Sequence, residues 1–322
     1  MTGKALPGLL TVVLLAFHAP TRAEAEVQQW LERMSMAAHS LNYIGTFVYQ
    51  HGGQLEAMQI VHAMDEDGER ERLMSLTGPK REVIRDNQIV TCILGDRQAV
   101  HVNKSRPRTP FPVSFPTELM ELEKHYTFKV QGEDRVAGHD CRVVAVNPRD
   151  RMRYGRRLCV HETSHLLLRS ELTDSGGKPI EQVMFTDVKF PEHIDEAALL
   201  PDFSSADFTW KQEPEQPPEP GEGEHDSRWK VFHVPDGFML TDHSWHQLTA
   251  EDPGVEHWVF SDGLASVSVY IEEAHNEEKY AGVSHRGALN AYGTMVAGHY
   301  VTVVGEVPRE TVELIGQSVR MK

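Results

Sequence analysis

Between Leu41 and Val188 one short run of alternating or apolar residues follows another, with only turn residues between most of them. Strands of period two joined this way are read as antiparallel neighbours, because parallel ones need long crossovers. The predicted strands are Leu41–Gln50, Leu55–Met64, Arg70–Leu76, Arg81–Arg85, Gln88–Leu94, Ala99–Val102, Thr127–Gln131, Asp140–Asn147, Gly155–His161, Leu166–Leu172 and Gln182–Val188. A flat sheet of that many strands is unstable, so it must curl into a barrel or half-barrel whose concave side is covered by something apolar.

Two segments are suited to that cover. Glu26 to Ser40 is an amphipathic helix with Val27, Trp30, Leu31 and Met34 on one face. Pro110 to Pro116 followed by Thr117 to His125 forms a plug in which Phe111 and Phe115, held extended by their prolines, are a lid or a partner contact. In the first strand Leu41, Tyr43, Phe47 and Tyr49 share a face. Tyr43, Phe47 and Tyr49 are therefore core residues or the lining of a ligand cavity, and the sequence leaves both open.

Residues 213–224 contain only proline, glycine, glutamate and glutamine. Such a stretch has nothing apolar to bury and reads as an extended charged linker. The expected organisation is a half-barrel domain over 24–210, a linker over 211–226 and a smaller domain over 227–322. In the smaller domain Lys230–His233 and Met239–Ser244 are strands, hairpins turn at Asp262-Gly263 and Ala297-Gly298, and a helix runs from Pro308 to Val319. Trp229, Trp245 and Trp258 are either core or anchors for a partner. The fold class is α+β.

The N-terminus carries Lys4, an apolar run from Leu9 to Phe17 and small residues around Ala23 and Ala25. This is the pattern of a secretory signal over residues 1–23, too short for a bilayer span, which needs about 20 apolar residues. The net charge of −16 becomes more negative still once Lys4 and Arg22 are removed. Such a field repels nucleic acid. The basic runs at Lys104–Arg108 and Arg149–Arg157 are solvated loop charges or an anion site.

In an oxidising compartment three cysteines allow one internal bridge. Cys141 and Cys159 sit almost opposite each other if 147–154 is a hairpin turn, so they are a disulfide or two buried thiols. Cys92 lies within an apolar strand.

The string His161-Glu-Thr-Ser-His165 fits the zinc-protease pattern H-E-x-x-H, whose chemistry requires a helix to aim both imidazoles at one metal. Here it lies between two β-like runs and is expected to be a turn, so no metal site and no catalytic residue are assigned. His243 and His246 carry too few companions to be a site, and no cofactor motif is present.

The residues also carry a resemblance. Leu41-Asn-Tyr-Ile-Gly-Thr-Phe-Val-Tyr49, Leu55-Glu-Ala-Met58 with His62, Glu69-Arg-Glu-Arg-Leu73 and Arg81-Glu-Val-Ile-Arg85 resemble the MucB/RseB family of periplasmic regulators. So do Arg135-Val-Ala-Gly-His139, Leu166-Leu-Leu-Arg-Ser-Glu-Leu172, Trp258 to Tyr270 and Val303-Val-Gly-Glu-Val-Pro308. The resemblance implies a lipoprotein-carrier-like half-barrel with helices in its concave side and a smaller C-terminal α/β domain. It implies a negative regulator of an envelope-stress sigma factor that binds the periplasmic segment of an inner-membrane anti-sigma factor. That binding shields the segment from site-1 proteolysis, and a lipid or lipopolysaccharide signal releases it. A lipid or lipoprotein carrier is the alternative and a zinc peptidase a more distant one. Whether the molecule forms a homodimer is open.

Overall fold

A computed structural model describes residues 22–95, 99–104, 121–202, 209–212, 227–246, 254–274 and 281–322. The region that includes Phe111 and Phe115, most of the predicted linker and most of the predicted signal segment lie outside the described residues.

Helix α1 (Arg22–Ser40) opens the fold, four residues earlier than its apolar periodicity suggests. The strands of the first sheet follow: β1 (Tyr43–His51), β2 (Gln54–Asp65), β3 (Gly68–Ser75), β4 (Arg81–Asp86), β5 (Ile89–Leu94), β6 (Ala99–Lys104), β7 (Tyr126–Val136), β8 (His139–Pro148), β9 (Gly155–His161), β10 (Leu167–Thr173), β11 (Pro179–Lys189) and β12 (Thr209–Gln212). A single turn of helix, α2 (Glu196–Leu199), precedes β12. Every predicted strand of this domain is present, displaced by a few residues at most.

The spatial order is β12-β6-β5-β4-β3-β2-β1-β11-β10-β9-β8-β7. Strand β1 therefore lies at the centre between β2 and β11, and the sheet is open between its edge strands β12 and β7, where a closed barrel would join them. Bulges at Thr46/Phe47, Val130/Gly132 and Leu167/Arg169 bend the strands. The antiparallel expectation fails once: β12 adds to β6 in parallel, Thr209 opposite Ala99. Its last residues, Lys211 and Gln212, fall within the predicted linker. Parallel pairing is reachable here because a long chain segment separates β12 from β6.

Helix α1 buries Val27, Leu31 and Met34 in a cluster with Leu122, Tyr126, Val144, Val146, Leu158, Val160 and Leu167, with Trp30 packed at its margin. Leu122 comes from a short 3-10 turn, Leu122–Lys124, the described end of the predicted plug. A second cluster joins Tyr43, Phe47 and Ile60 to Phe185, Leu166, Leu168, Cys141 and Cys159. Gly45 lies flat against Phe185, where an added Cβ would come within 2.5 Å of the ring. Gly45→Ala is accordingly expected to lose roughly 1–3 kcal/mol of stability through overpacking. Urea unfolding checks this, and an unchanged midpoint would show that the Phe185 ring gives way freely.

The second sheet contains β14 (Met239–His246), β15 (Val255–Ser261), β16 (Ser266–Glu273), β17 (Gly282–Arg286), β18 (Leu289–Val296) and β19 (His299–Gly305), ordered β14-β15-β16-β19-β18-β17. Helix α3 (Arg309–Gln317) buries Val312 and Ile315 against it, together with Val267, Val269, Ile271, Val301 and Val303. Pro308 is the N-cap of α3, one residue outside the helix. The short strands β13 (Trp229–Val231) and β20 (Val319–Met321) pair beside this core. Both predicted hairpin turns form, with Ala297 at φ 49° and Gly298 at φ 80°. No helix among the described residues is long and apolar enough to cross a membrane.

Candidate functional site: the seam between the two sheets

A cavity of about 220 Å³ lies where the two sheets meet and is walled by both. Strand alternation supplies its walls. Phe47 and Tyr49 project from β1, Met58 from β2, Arg156 from β9, Ser170 and Leu172 from β10, and Glu181 and Val183 from β11, while Glu306 reaches in from the second sheet. Apolar walls and a few charged groups of both signs are the composition of a recognition pocket.

Glu181 ties the walls together. Its carboxylate accepts hydrogen bonds from the Tyr49 hydroxyl at 2.9 Å and from the Ala288 backbone N–H at 2.9 Å. Burial, then the charge of Glu181, push the Tyr49 hydroxyl upward, so it stays a proton donor at any physiological pH. Burial, then Glu181, also raise the Glu306 carboxyl against the opposing pull of Arg156. Glu306 keeps much of its surface in solvent, where water screens these charges. Two turns close the rim: Gly287 at φ 62° passes so near Gly52 that an added Cβ would sit 3.0 Å from the Gly52 nitrogen. Only glycine combines that φ with that approach.

Beside the cavity the seam is fastened by a buried ion pair. Arg153 Nε lies 3.4 Å from Asp262 Oδ2, and neither side chain has any solvent exposure. The Tyr126 hydroxyl donates to the same oxygen at 2.8 Å. Arg153 stacks between the Tyr126 ring at 5.5 Å and the Phe238 ring at 5.1 Å, and donates to the Asp236 carbonyl. Further bonds cross nearby, Asn290 Nδ2 to the Tyr154 hydroxyl at 3.0 Å and Thr311 Oγ1 to the Met152 carbonyl at 2.6 Å.

The residues singled out from sequence are dispersed by this arrangement. Phe47 and Tyr49 share the cavity, whereas Tyr43 is core, stacked on His62 at 5.0 Å. Phe111 and Phe115 are outside the described residues. Trp229 and Trp258, 3% and 8% exposed, are packed in the second sheet's core, and only Trp245, on the edge strand β14, is open at 47%. Cys141 and Cys159 form a disulfide with Cα atoms 5.4 Å apart. They are not opposite as expected: Cys141 faces His161 and Cys159 faces Val143, so the bridge runs diagonally, where strand twist shortens the gap. His161 to His165 is a turn, as its neighbours required, with His161 Nδ1 2.7 Å from Ser164 Oγ. The basic run 149–157 is neither simple loop charge nor an open anion site, since Arg153 is the seam's buried cation. Sequence reasoning missed Arg153, Arg156, Glu181, Asp262 and Glu306 as a group, and their separation along the chain leaves no local signal to find them by.

Shape, charge and hydrogen bonding across this seam are the features of a two-domain binding protein built on an open half-barrel. Residues 26–203 match the MucB/RseB N-terminal domain and residues 223–320 the MucB/RseB C-terminal domain. The chain belongs to the MucB/RseB family. It is 31% identical to the Sigma factor AlgU regulatory protein MucB of Pseudomonas aeruginosa, over 97% of this chain and 96% of that protein. Identity to the Sigma-E factor regulatory protein RseB of Haemophilus influenzae is 23%, over 97% of both. Among solved structures, the Pseudomonas aeruginosa MucA/MucB complex matches with a TM-score of 0.73 and 28% identity, over 92% of this chain and 99% of that one. MucB in complex with MucA(peri) matches with a TM-score of 0.71 over the same shares.

Proposed function

We propose that the chain is an exported regulator of a sigma factor that acts by holding the periplasmic segment of an inner-membrane anti-sigma factor. Residues 1–23 direct export, 24–210 form the half-barrel, 211–226 act as the linker and 227–322 complete the partner-binding surface. The observation that carries this reading is its end-to-end likeness to a protein solved in complex with MucA(peri), at 28% identity. Covering the anti-sigma segment hinders its site-1 proteolysis, and a lipid or lipopolysaccharide signal ends the hold. The chain works by occupancy and has no catalytic step of its own.

Within this reading Phe47 and Tyr49 accept a side chain of the bound segment in the seam cavity, and Trp245 anchors it at the sheet edge. At about 220 Å³ the cavity lies below the roughly 300–1,000 Å³ of pockets for larger ligands. A peptide side chain fits better than a whole lipid, which weighs against the carrier alternative.

Crosslinking in the intact envelope, followed by identification of the captured protein, tests the proposal. The expected catch is one inner-membrane protein with a cytoplasmic sigma-factor-binding part. Trp245→Ala should weaken its capture by roughly thirtyfold, the effect of losing a hot-spot aromatic worth about 2 kcal/mol. Recovery of outer-membrane lipoproteins alone would establish the carrier reading instead.

A further inference from the structure

The histidine string that imitates a zinc motif has a structural setting of its own. His161 ends β9, and His165 follows in the turn to β10 at φ 63°, its N–H bonded to the His161 carbonyl at 3.0 Å. Positive φ is uncommon for a residue with a side chain, and it swings the imidazole toward α1. There His165 packs on Trp30 with ring centroids 5.1 Å apart, while the Arg142 guanidinium lies 5.9 Å from the same indole. His161 stacks on Phe190 at 5.4 Å and meets the edge of His139 at 4.9 Å, and His139 Nε2 lies 3.3 Å from the Val188 carbonyl. Three imidazoles thus connect the end of β11, the start of β8 and the β9–β10 turn to a tryptophan of α1.

We propose that the 161–165 turn is an acid-operated latch on α1, holding the helix against the half-barrel while His161 and His165 are neutral and loosening it when they take up protons. Burial and the net balance of charge around His161 and His165 favour that direction. On β8, Arg142 is already engaged by Glu133 of β7 at 2.9 Å and Glu162 of the turn at 3.2 Å. Asp140, also on β8, is the acid that opposes protonation loss at His161. Arg33 of α1 acts against a charge on His165. Burial, followed by His139 and His165, depresses His161, and burial followed by Arg33 depresses His165. Both rings therefore bind protons less readily folded than unfolded. The stability they contribute is whole above their ordinary value of 6.5 and is lost as pH falls below it toward the folded value. The helix feels that loss first, because Trp30 takes the His165 contact directly.

Amide hydrogen exchange on the full chain at pH 7.5 and pH 5.0, corrected for intrinsic rates, tests the latch. Amides from Val27 to Ala38 are expected to lose about tenfold more protection on acidification than those of β15 and β16. In the double variant His161→Asn/His165→Asn this excess should shrink to less than about twofold. Asparagine preserves an acceptor near Nδ1 for Ser164 and tolerates positive φ. Equal losses in both proteins, or a uniform loss across all strands, would overturn the proposal. Should the double variant fold poorly, the Cε1 proton titrations of wild-type His161 and His165 decide the matter. Midpoints below 6.5 support the latch, and midpoints at or above 6.5 refute it.

Discussion

Asp262→Asn is expected to cost about 3–5 kcal/mol of stability, the usual result of stripping one partner from a buried ion pair. The amide keeps an oxygen for the turn, where Asp262 Oδ1 accepts from the Leu264 and Ala265 N–H groups at 2.9 and 2.8 Å. What it removes is the charge facing Arg153 and, with Oδ2 replaced by an amide nitrogen, the acceptor of the Tyr126 hydroxyl. That guanidinium has no solvent exposure, and its Nε and Nη1 atoms have no hydrogen-bond partner among the described residues. Nη2 bonds the Asp236 carbonyl and lies 3.5 Å from the exposed Asp150 carboxylate, so the buried Nε edge depends on the Coulombic field of Asp262. Adding Arg153→Met should recover more than half of the loss, because an apolar side chain between Tyr126 and Phe238 needs no counter-charge. Urea unfolding of the two single variants and the double variant closes the cycle. If Asp262→Asn stays within about 1 kcal/mol of wild type, the seam is held by packing and the ion pair contributes little.

Loss of the Cys141–Cys159 bridge should be nearly as severe. The cysteines are separated by 18 positions, and closing a loop of that length in the unfolded chain is worth about 3 kcal/mol. The bridge is also central to the sheet: Cys141 and Cys159 are 0% and 1% exposed and pack with Leu166, Leu168 and Phe185. Cys141→Ala/Cys159→Ala, or reduction of the native protein, should lower the melting temperature by roughly 6–12 °C. A fall of less than about 2 °C, with the bridge verified by mass spectrometry in the starting material, would show that the core is indifferent to it.

Much of the fold is legible in the sequence because alternation is a local signal. The strands of the half-barrel, the buried face of α1, the two hairpin turns of the second sheet and the turn at His161–His165 all follow from neighbouring residues. The short strands β17 and β20 escape because three to five residues make too brief a pattern, and β12 because its parallel partner is remote. The candidate site is the least legible part. Phe47 and Tyr49 stand out as aromatic residues on one face of a strand, yet Glu181, Arg156 and Glu306 look like ordinary surface charges until the two sheets meet. Arg153 is hidden in a run of basic residues that local reasoning assigns to solvent. The tryptophans mislead in the opposite way, since composition cannot tell a core indole such as Trp229 from an open one such as Trp245.

The position of β1 between β2 and β11 has a consequence for how the chain comes to be folded. Ile44 pairs with Lys189 and Gln50 with Gln182, so the middle of the sheet joins residues more than a hundred positions apart, while β2 to β6 and β7 to β11 can each assemble from hairpins. Distant pairings are slow to form, and their loop entropy must be met before they repay it. A polypeptide threaded through a translocation channel N-terminus first would hold β1 unmatched on the far side until β11 had followed. Throughout that interval Tyr43, Phe47 and the open edge of β1 would be exposed to other chains, and a holding chaperone would find its target there.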